Sequence, residues 1–220
     1  QHSARLVMPT RALGRLHEVA EKLCGIRQTL APSVARKAVL VMAGDHGAVS
    51  DGVSAYPQEV TGAMVQTFLN GGAGINAIAR HVGAEVRVVD MGIIPQVEAA
   101  VLESGNRFLV RKIARGTANL VKGPAMNRED ALQALLTGAQ MAIDLVNEGF
   151  DMIGTGDMGI GNTTPSAAIG AVLCSPDLGK MVGRGTGVDD EGLKRKRESV
   201  RRALEVNRPD PGDPIAVLAK

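Results

Sequence analysis

Tryptophan is absent from the 220 residues, and the aromatic residues are one Tyr and three Phe. Single strands of nucleic acid are held by stacking bases on aromatic faces above a basic groove. With so few aromatics and a net charge of +2, the chain offers neither half of that device, so nucleic acid is excluded as a partner class. Cysteine is nearly as scarce. Cys24 and Cys174 lie far apart and form no CxxC pair, which points to a reduced, cytoplasmic protein rather than a disulfide scaffold. No apolar run approaches the ~20 residues that cross a bilayer, so no membrane association is expected. The start, Gln1-His2-Ser3-Ala4-Arg5, carries neither a secretory pattern nor an initiator Met. The remaining histidines, His17, His46 and His81, are scattered without ligand spacing, so no metal site is expected.

Glycine is what the chain has in excess. There are 27, and eleven of them fall between Gly149 and Gly192. They follow no short repeat, so neither collagen nor linker explains them. Glycines gathered between apolar segments suggest backbone brought close to a ligand.

The apolar pattern gives the fold class. Leu13, Leu16, Val19, Ala20 and Leu23 repeat at helical spacing over residues 11–30. Lys37–Ala43 is a continuous apolar run ending in Gly44-Asp45-His46-Gly47, which reads as a buried parallel strand. Val60, Met64 and Phe68 define one helix face. Ile75, Ile78, Ala79 and Val82 define another. Val86–Met91 is a second strand, 106–113 a third, and 150–154 a fourth. Between the last two, Asn127 caps a helix with Leu132, Leu135, Leu136, Ala139, Ile143 and Val146 on its stripe. Strands alternating with helices predict an α/β protein with a mostly parallel sheet. Gly-rich loops after Ala43, Met91 and Ile153 would share the carboxyl rim, where such sheets bind ligands.

The richest loop is Gly154-Thr-Gly-Asp-Met-Gly-Ile-Gly-Asn-Thr-Thr-Pro-Ser166, with a helix expected from about Pro165. Free N–H groups at a helix start hold phosphate. Gly159 and Gly161 would admit the anion, and Thr163 or Thr164 would cap. The run is neither a Walker loop nor a spaced GxGxxG. Asp157 within it is a solvated acid, a base or an orienting group. A second loop, Gly183–Gly187, leads into a basic helix whose stripe is Leu193, Val200 and Leu204. Lys196 lies about 60° from that stripe and can reach a nearby anion along a packed stem; Arg195, about 160° away, should face solvent.

Five ordered segments then carry a resemblance: Ala43–Gly47, Gly52–Gln58, Gly71–Asn76, Gly159–Thr164 and Gly183–Gly187. Their order and spacing resemble the nicotinate-nucleotide:5,6-dimethylbenzimidazole phosphoribosyltransferase family. The resemblance implies a Rossmann-like parallel sheet flanked by helices, with a small helical domain that this chain builds only in part. It divides the chain into an N-terminal helical segment (1–35), an α/β catalytic domain (36–207) and the start of a C-terminal part (208–220). It further implies a homodimer without cofactor. The substrates would be nicotinate mononucleotide and dimethylbenzimidazole, and the product α-ribazole 5′-phosphate.

The resemblance assigns Gly159, Gly161, Asn162, Thr163, Thr164, Gly185, Thr186, Gly187 and Lys196 to the nucleotide and its phosphate. It assigns Asp45, His46, Ser54, Tyr56, Gln58 and Met158 to the acceptor pocket. Two departures stand out. Asp157 occupies a place where the family usually has Glu. The family's principal base, a Glu in a Gly-Glu-Gly-Thr-Gly-like segment, has no counterpart after Gly187. The expectation is therefore part of a longer enzyme, its supporting carboxylate at Asp157. The alternative is a catalytically incomplete nucleotide-binding fragment or subunit.

Overall fold

The computed structural model describes residues 5, 7–9, 11–94 and 107–220. The opening residues 1–4, and residue 106 at the start of the expected third strand, lie outside them. The chain divides into two compact units, Gln1–Ala35 and Arg36–Lys220.

The first unit contains α1 (Arg15–Arg27), which stops where Gln28 turns left-handed at φ 48°. The helix is shorter than the 11–30 expected, and its stripe is not buried. Leu13, Leu16 and Val19 are exposed, while His17 is the buried residue. Among the described residues, α1 is the one α-helix of this unit, so no second helix covers its stripe.

The second unit is a four-stranded, wholly parallel sheet of β1 (Lys37–Gly44), β2 (Ala84–Gly92), β3 (Phe108–Val110) and β4 (Met152–Met158). Their spatial order is β3-β2-β1-β4. β1 is central, with Ala38, Leu40, Val41 and Ala43 buried, as its unbroken apolar run dictates. Two elements differ from expectation. The third strand shrinks to three residues, because Arg111 and Lys112 turn to the chain's own polar groups. The fourth strand runs on to Met158, through glycines expected to form a loop. Gly154 and Gly156 pair with Val39 and Val41 of β1, whose side chains lie 3.5 Å from where each Cβ would be.

On one face of the sheet lie α2 (Val60–Leu69) and α3 (Gly74–Val82), around Val65, Leu69, Val88 and Phe108. α2 is rotated by one residue from the expected face: Thr61, Val65 and Leu69 are buried. Thr61 is drawn inward because its hydroxyl accepts from Ile160 N at 3.1 Å. In α3 the buried positions are Asn76 and Ala79, while Ile78 and Val82 are exposed. Asn76 is satisfied there, accepting from Ala73 N at 3.1 Å and donating to Phe68 O at 2.9 Å.

On the opposite face lies α4 (Arg128–Asn147), capped by Asn127, whose side chain accepts from Asp130 N at 2.7 Å. The cap agrees with the sequence reading, but the stripe does not. Ala131, Met141 and Leu145 are the residues buried, while Leu132, Leu135, Leu136, Ile143 and Val146 are exposed. The helix is apolar on two faces, and the sheet takes the one with Met141 and Leu145.

β4 leads into α5 (Thr163–Leu173) and the short α6 (Leu178–Met181), then α7 (Asp190–Asn207) and α8 (Pro214–Ala219). α5 and α7 share a core of Ala167, Ala168, Val200 and Ala203 with Ala48 and Val53. These small residues let the helices, and the loop after β1, approach closely.

Two charges are buried in β2: Asp90, paired with Lys112 at 3.1 Å, and Arg87. Arg87 of β2 is fixed by Glu148 at 2.9 and 2.6 Å and by Glu85 at 2.8 Å, which hold its guanidinium well above the usual range. Pairing this full offsets the cost of taking such a charge out of water.

Candidate functional site

The strand order reverses direction between β1 and β4, since β2 and β3 lie to one side of β1 and β4 to the other. In open parallel sheets the crevice beyond such a reversal is where ligands bind. Here the carboxyl ends of β1 and β4 deliver Asp45, His46, Asp157 and Met158 to one rim. They line a cleft of about 680 Å³ together with Asn162, Gly92 and Thr117. Its other walls are mostly apolar and come from α4, α5, α7, α8 and the 113–126 segment.

The two loops at this rim fit only because of glycine. A Cβ on Gly159 would lie 2.0 Å from Gly44 O and 3.0 Å from His46 Nε2. The turn leaving β4 therefore rests directly on the turn leaving β1, with the imidazole against its backbone. Gly161, at φ +87°, then redirects the chain into α5, with Val49 2.8 Å from where its Cβ would be.

Helix α5 begins earlier than expected, at Thr163, so Thr163 and Thr164 are helical and neither caps it. Asn162 is the N-cap, but its amide donates to Asp157 Oδ2 instead of capping. That bond ties the carboxylate to the start of the helix. Of the backbone donors expected to cradle an anion, Asn162 N and Thr164 N already bond Gly159 O and Gly161 O at 3.0 Å. Thr164 itself is fully buried, and among the described residues nothing bonds its hydroxyl.

Lys196 crosses from α7 to this point. It is 1% exposed, and its ammonium donates to the Thr163 hydroxyl. Gly185, left-handed at φ +56°, brings the second glycine loop to the same place. A Cβ there would lie 2.9 Å from Thr163 Oγ1 and 3.1 Å from Lys196 Nζ. Burial alone drives the Lys196 pKa down from its ordinary value. A cation so enclosed, with only a hydroxyl partner, is costly unless an anion joins it. Arg195 is exposed, as its helix position predicts. Thr186 and Gly187 stand on the exposed side of the same loop, where no Cβ contact limits Gly187.

The residues expected to wall the acceptor pocket divide into two groups. Asp45, His46 and Met158 line the cleft. Ser54, Tyr56 and Gln58 do not, and Tyr56 is 50% exposed. Gln58 reaches the rim indirectly, donating from Nε2 to His46 O at 3.3 Å. Asp45 is 1% exposed and accepts from Ile94 N at 2.7 Å. Its second oxygen is buried, with no hydrogen-bond donor among the described residues.

Sequence reasoning missed the cleft's apolar walls, such as Leu135, Ala134 and Ile169. The helical stripe includes Leu135, but periodicity alone does not say that it faces a cleft. Sequence reasoning also missed Thr117, whose hydroxyl accepts from Gly47 N at 3.2 Å and so shapes the loop after β1. No motif marks it.

Burial pushes the His46 pKa below its ordinary 6.5, although the Asp45 and Asp157 carboxylates act in the opposite sense. The folded chain therefore resists a proton that the unfolded chain accepts, so stability falls as pH drops below that ordinary value. Urea midpoints at about pH 7.5 and about pH 5.5 should differ more in the native chain than in His46→Gln. An equal loss in both would remove His46 from the acid response.

Comparison with known proteins follows this geometry. The family model DBI_PRT, described as phosphoribosyltransferase, matches residues 1–220. The chain is 50% identical over 214 residues to the nicotinate-nucleotide–dimethylbenzimidazole phosphoribosyltransferase of Syntrophobacter fumaroxidans, covering 97% of this chain and 59% of that protein. The Geobacter sulfurreducens enzyme of the same name is 48% identical over 223 residues, covering 100% of this chain and 62% of that one. A crystal structure of CobT from Thermus thermophilus superimposes with a TM-score of 0.91 at 47% identity, over 99% of this chain and 63% of that one. The chain thus spans about three-fifths of the length of these relatives. With a full-length family match and a shared parallel fold, the chain belongs to the DBI_PRT phosphoribosyltransferase family.

Proposed function

We propose that this chain is the larger part of an enzyme that moves a 5-phosphoribosyl group from nicotinate mononucleotide to 5,6-dimethylbenzimidazole or a related base. The products are nicotinate and α-ribazole 5′-phosphate. The observation that carries the reading is the meeting of Lys196, Thr163 and Gly185 at the start of α5. An enclosed cation beside a helix N-terminus suits a terminal phosphate. Thr186 and Gly187 flank that position, and Gly159, Gly161, Asn162 and Thr164 shape it. Relatives that bear the name of this reaction give the substrate class.

The chemistry asks for position more than acid. The nicotinate leaves from a pyridinium, so the breaking C–N bond neutralises the leaving ring without a proton. An azole nitrogen lone pair forms the new bond to the anomeric carbon. The azole N–H must then give up its proton, and charge develops on the ribosyl ring. Asp157, held by Asn162 at the rim, is the carboxylate placed to orient that N–H or stabilise the ribosyl charge. Asp45, His46 and Met158 form the acceptor wall, with Gln58 donating to the His46 carbonyl behind it. We place the enzyme in the cytoplasm as a homodimer, a state that sedimentation tests directly.

The experiment mixes the chain with nicotinate mononucleotide and dimethylbenzimidazole and measures nicotinate release. In a chain that turns over, Asp157→Asn should lower the rate about 100-fold, the low end of the range of a positioned acid–base group. A fully active variant would reduce Asp157 to loop structure. A second reading is a nucleotide-binding portion that lacks the principal base. It is favoured by the chain spanning 59% and 62% of its relatives. Binding of the mononucleotide without turnover would select it, and failure to bind the mononucleotide would overturn both readings.

A further inference from the structure

The rim carries two carboxylates, and they are held differently. Asp157 is tied to the start of α5 by the Asn162 amide. Asp45 lies one strand over, just past the end of β1, and is 1% exposed. Its Oδ2 accepts from Ile94 N at 2.7 Å. Its backbone N–H donates to Gly92 O, and its carbonyl accepts from Thr117 N, both at 3.0 Å. Gly116, left-handed at φ +77°, lies directly on the side chain, its Cβ position 3.4 Å from the Asp45 Cβ. Oδ1 is left buried, with no donor among the described residues. A buried carboxylate with a single hydrogen bond is costly unless positive charge joins it.

The neighbouring side chains do not bring that charge. Burial holds the His46 pKa below its ordinary value, so the imidazole next to Asp45 is uncharged at neutral pH. Lys196 is bonded to Thr163, and Lys112 is bridged to Asp90 at 3.1 Å. Arg115 is turned to the Ile94 carbonyl at 3.1 Å, and Lys220 lines the cleft from the end of α8. Flat organic cations are commonly held on aromatic faces. Among the described residues no Phe, Tyr or Trp lines this cleft, so a carboxylate is the device that remains.

We propose that Asp45 is the countercharge for the azolium that forms when the acceptor base takes the phosphoribosyl group, and that it thereby selects azoles as acceptors. The inference rests on the transfer reading and adds a role to it. The azole nitrogen gives its lone pair to the anomeric carbon. The C–N bond to the pyridinium breaks, and its electron pair returns to that ring. Positive charge thus passes from the leaving ring to the acceptor ring, which still carries its N–H. The azolium then loses that proton to solvent, and a neutral azole product ring remains. Charge fixed in advance where charge develops is usually the largest electrostatic aid to such a step. Asp45 is fixed in this way by β2 and the loop at Gly116–Thr117, before any ligand arrives. A phenolic acceptor attacks as an anion and leaves no positive ring, so Asp45 opposes it.

Calorimetric titration with two isosteres tests this. The 1,3,5,6-tetramethylbenzimidazolium ion is a permanent azolium, and 1,3,5,6-tetramethylindole has the same shape without the charge. The native chain should bind the cation about tenfold or more tighter than the indole, a preference within reach of one close charge pair. Asp45→Asn keeps the shape and the bond to Ile94 N while removing the charge. It should abolish the preference and leave indole binding as it was. Equal affinities in the native chain overturn the proposal, whether or not the variant folds. So does a preference that survives in Asp45→Asn. Nicotinate mononucleotide is titrated into the same native chain. If it binds while the azolium preference is missing, this inference fails and the transfer reading stands. If it does not bind, the transfer reading fails and this inference falls with it.

Discussion

Replacing Lys196 by methionine should weaken binding of nicotinate mononucleotide tenfold or more and at the same time raise the melting temperature of the ligand-free chain. The two effects share one cause. Lys196 is 1% exposed, and its ammonium bonds the Thr163 hydroxyl. Among the described residues no carboxylate is bridged to it. Burial therefore depresses its pKa, and the folded chain bears the strain of an enclosed charge. Methionine keeps the length and packing of the stem but removes the charge, so the apo fold is relieved. A phosphate arriving beside Lys196 supplies the missing anion. A charge-assisted bond of that kind contributes about 1.5–3 kcal/mol, which is a factor of ten or more in affinity. Calorimetric titration and thermal unfolding measure the two together. If affinity held while stability rose, Lys196 would be a packing residue and the phosphate would sit elsewhere.

Lys196 also shows what the sequence makes legible. Its place was readable only in part. Helix geometry puts Lys196 beside the Leu193–Val200–Leu204 stripe, but of that stripe only Val200 is buried. The buried face of α7 is Gly192, Lys196, Ser199, Val200, Ala203 and Asn207. β1 was legible because a strand covered on both faces is apolar throughout. The rim was legible because Gly-rich turns follow the apolar runs of β1 and β2 at Gly44 and Gly92, although the loop expected after Ile153 begins only at Gly159. What was not legible depends on partners far away in sequence. The glycines of β4 read as a loop, since only pairing with Val39 and Val41 makes them a strand. The stripe named for α4 is not the one that is buried, because periodicity counts apolar residues without saying which of two faces meets the core. Thr61 took the inward face of α2 through a bond to Ile160, 99 residues away. The acceptor segment shows the same limit. A motif placed Ser54, Tyr56 and Gln58 near the site, but it could not separate lining the cleft from bracing it.

Gly159→Ala should be the most damaging single methyl group in this chain. The added carbon would lie 2.0 Å from Gly44 O, and the obstacle is backbone of the central strand, which has no freedom to yield. The turn leaving β4 must therefore move, and three things move with it. The imidazole of His46, 3.0 Å from the same point, loses its seat. Ile160 N draws away from the Thr61 hydroxyl, leaving a buried pair at 3.1 Å broken. Asn162 and Asp157 lose their register, because both hang on this turn. Overpacking of this kind typically costs about 1–3 kcal/mol in stability. The loss in mononucleotide affinity should at least match that of the Lys196 variant, because the start of α5 shifts as a unit. Gly183→Ala is the control: no atom lies within 4 Å of its Cβ position, so it should be nearly neutral in both measurements. Urea unfolding and titration calorimetry on the two variants decide the matter. If Gly159→Ala matched Gly183→Ala in stability and in affinity, the contact between the two loops would not be what holds the site in place.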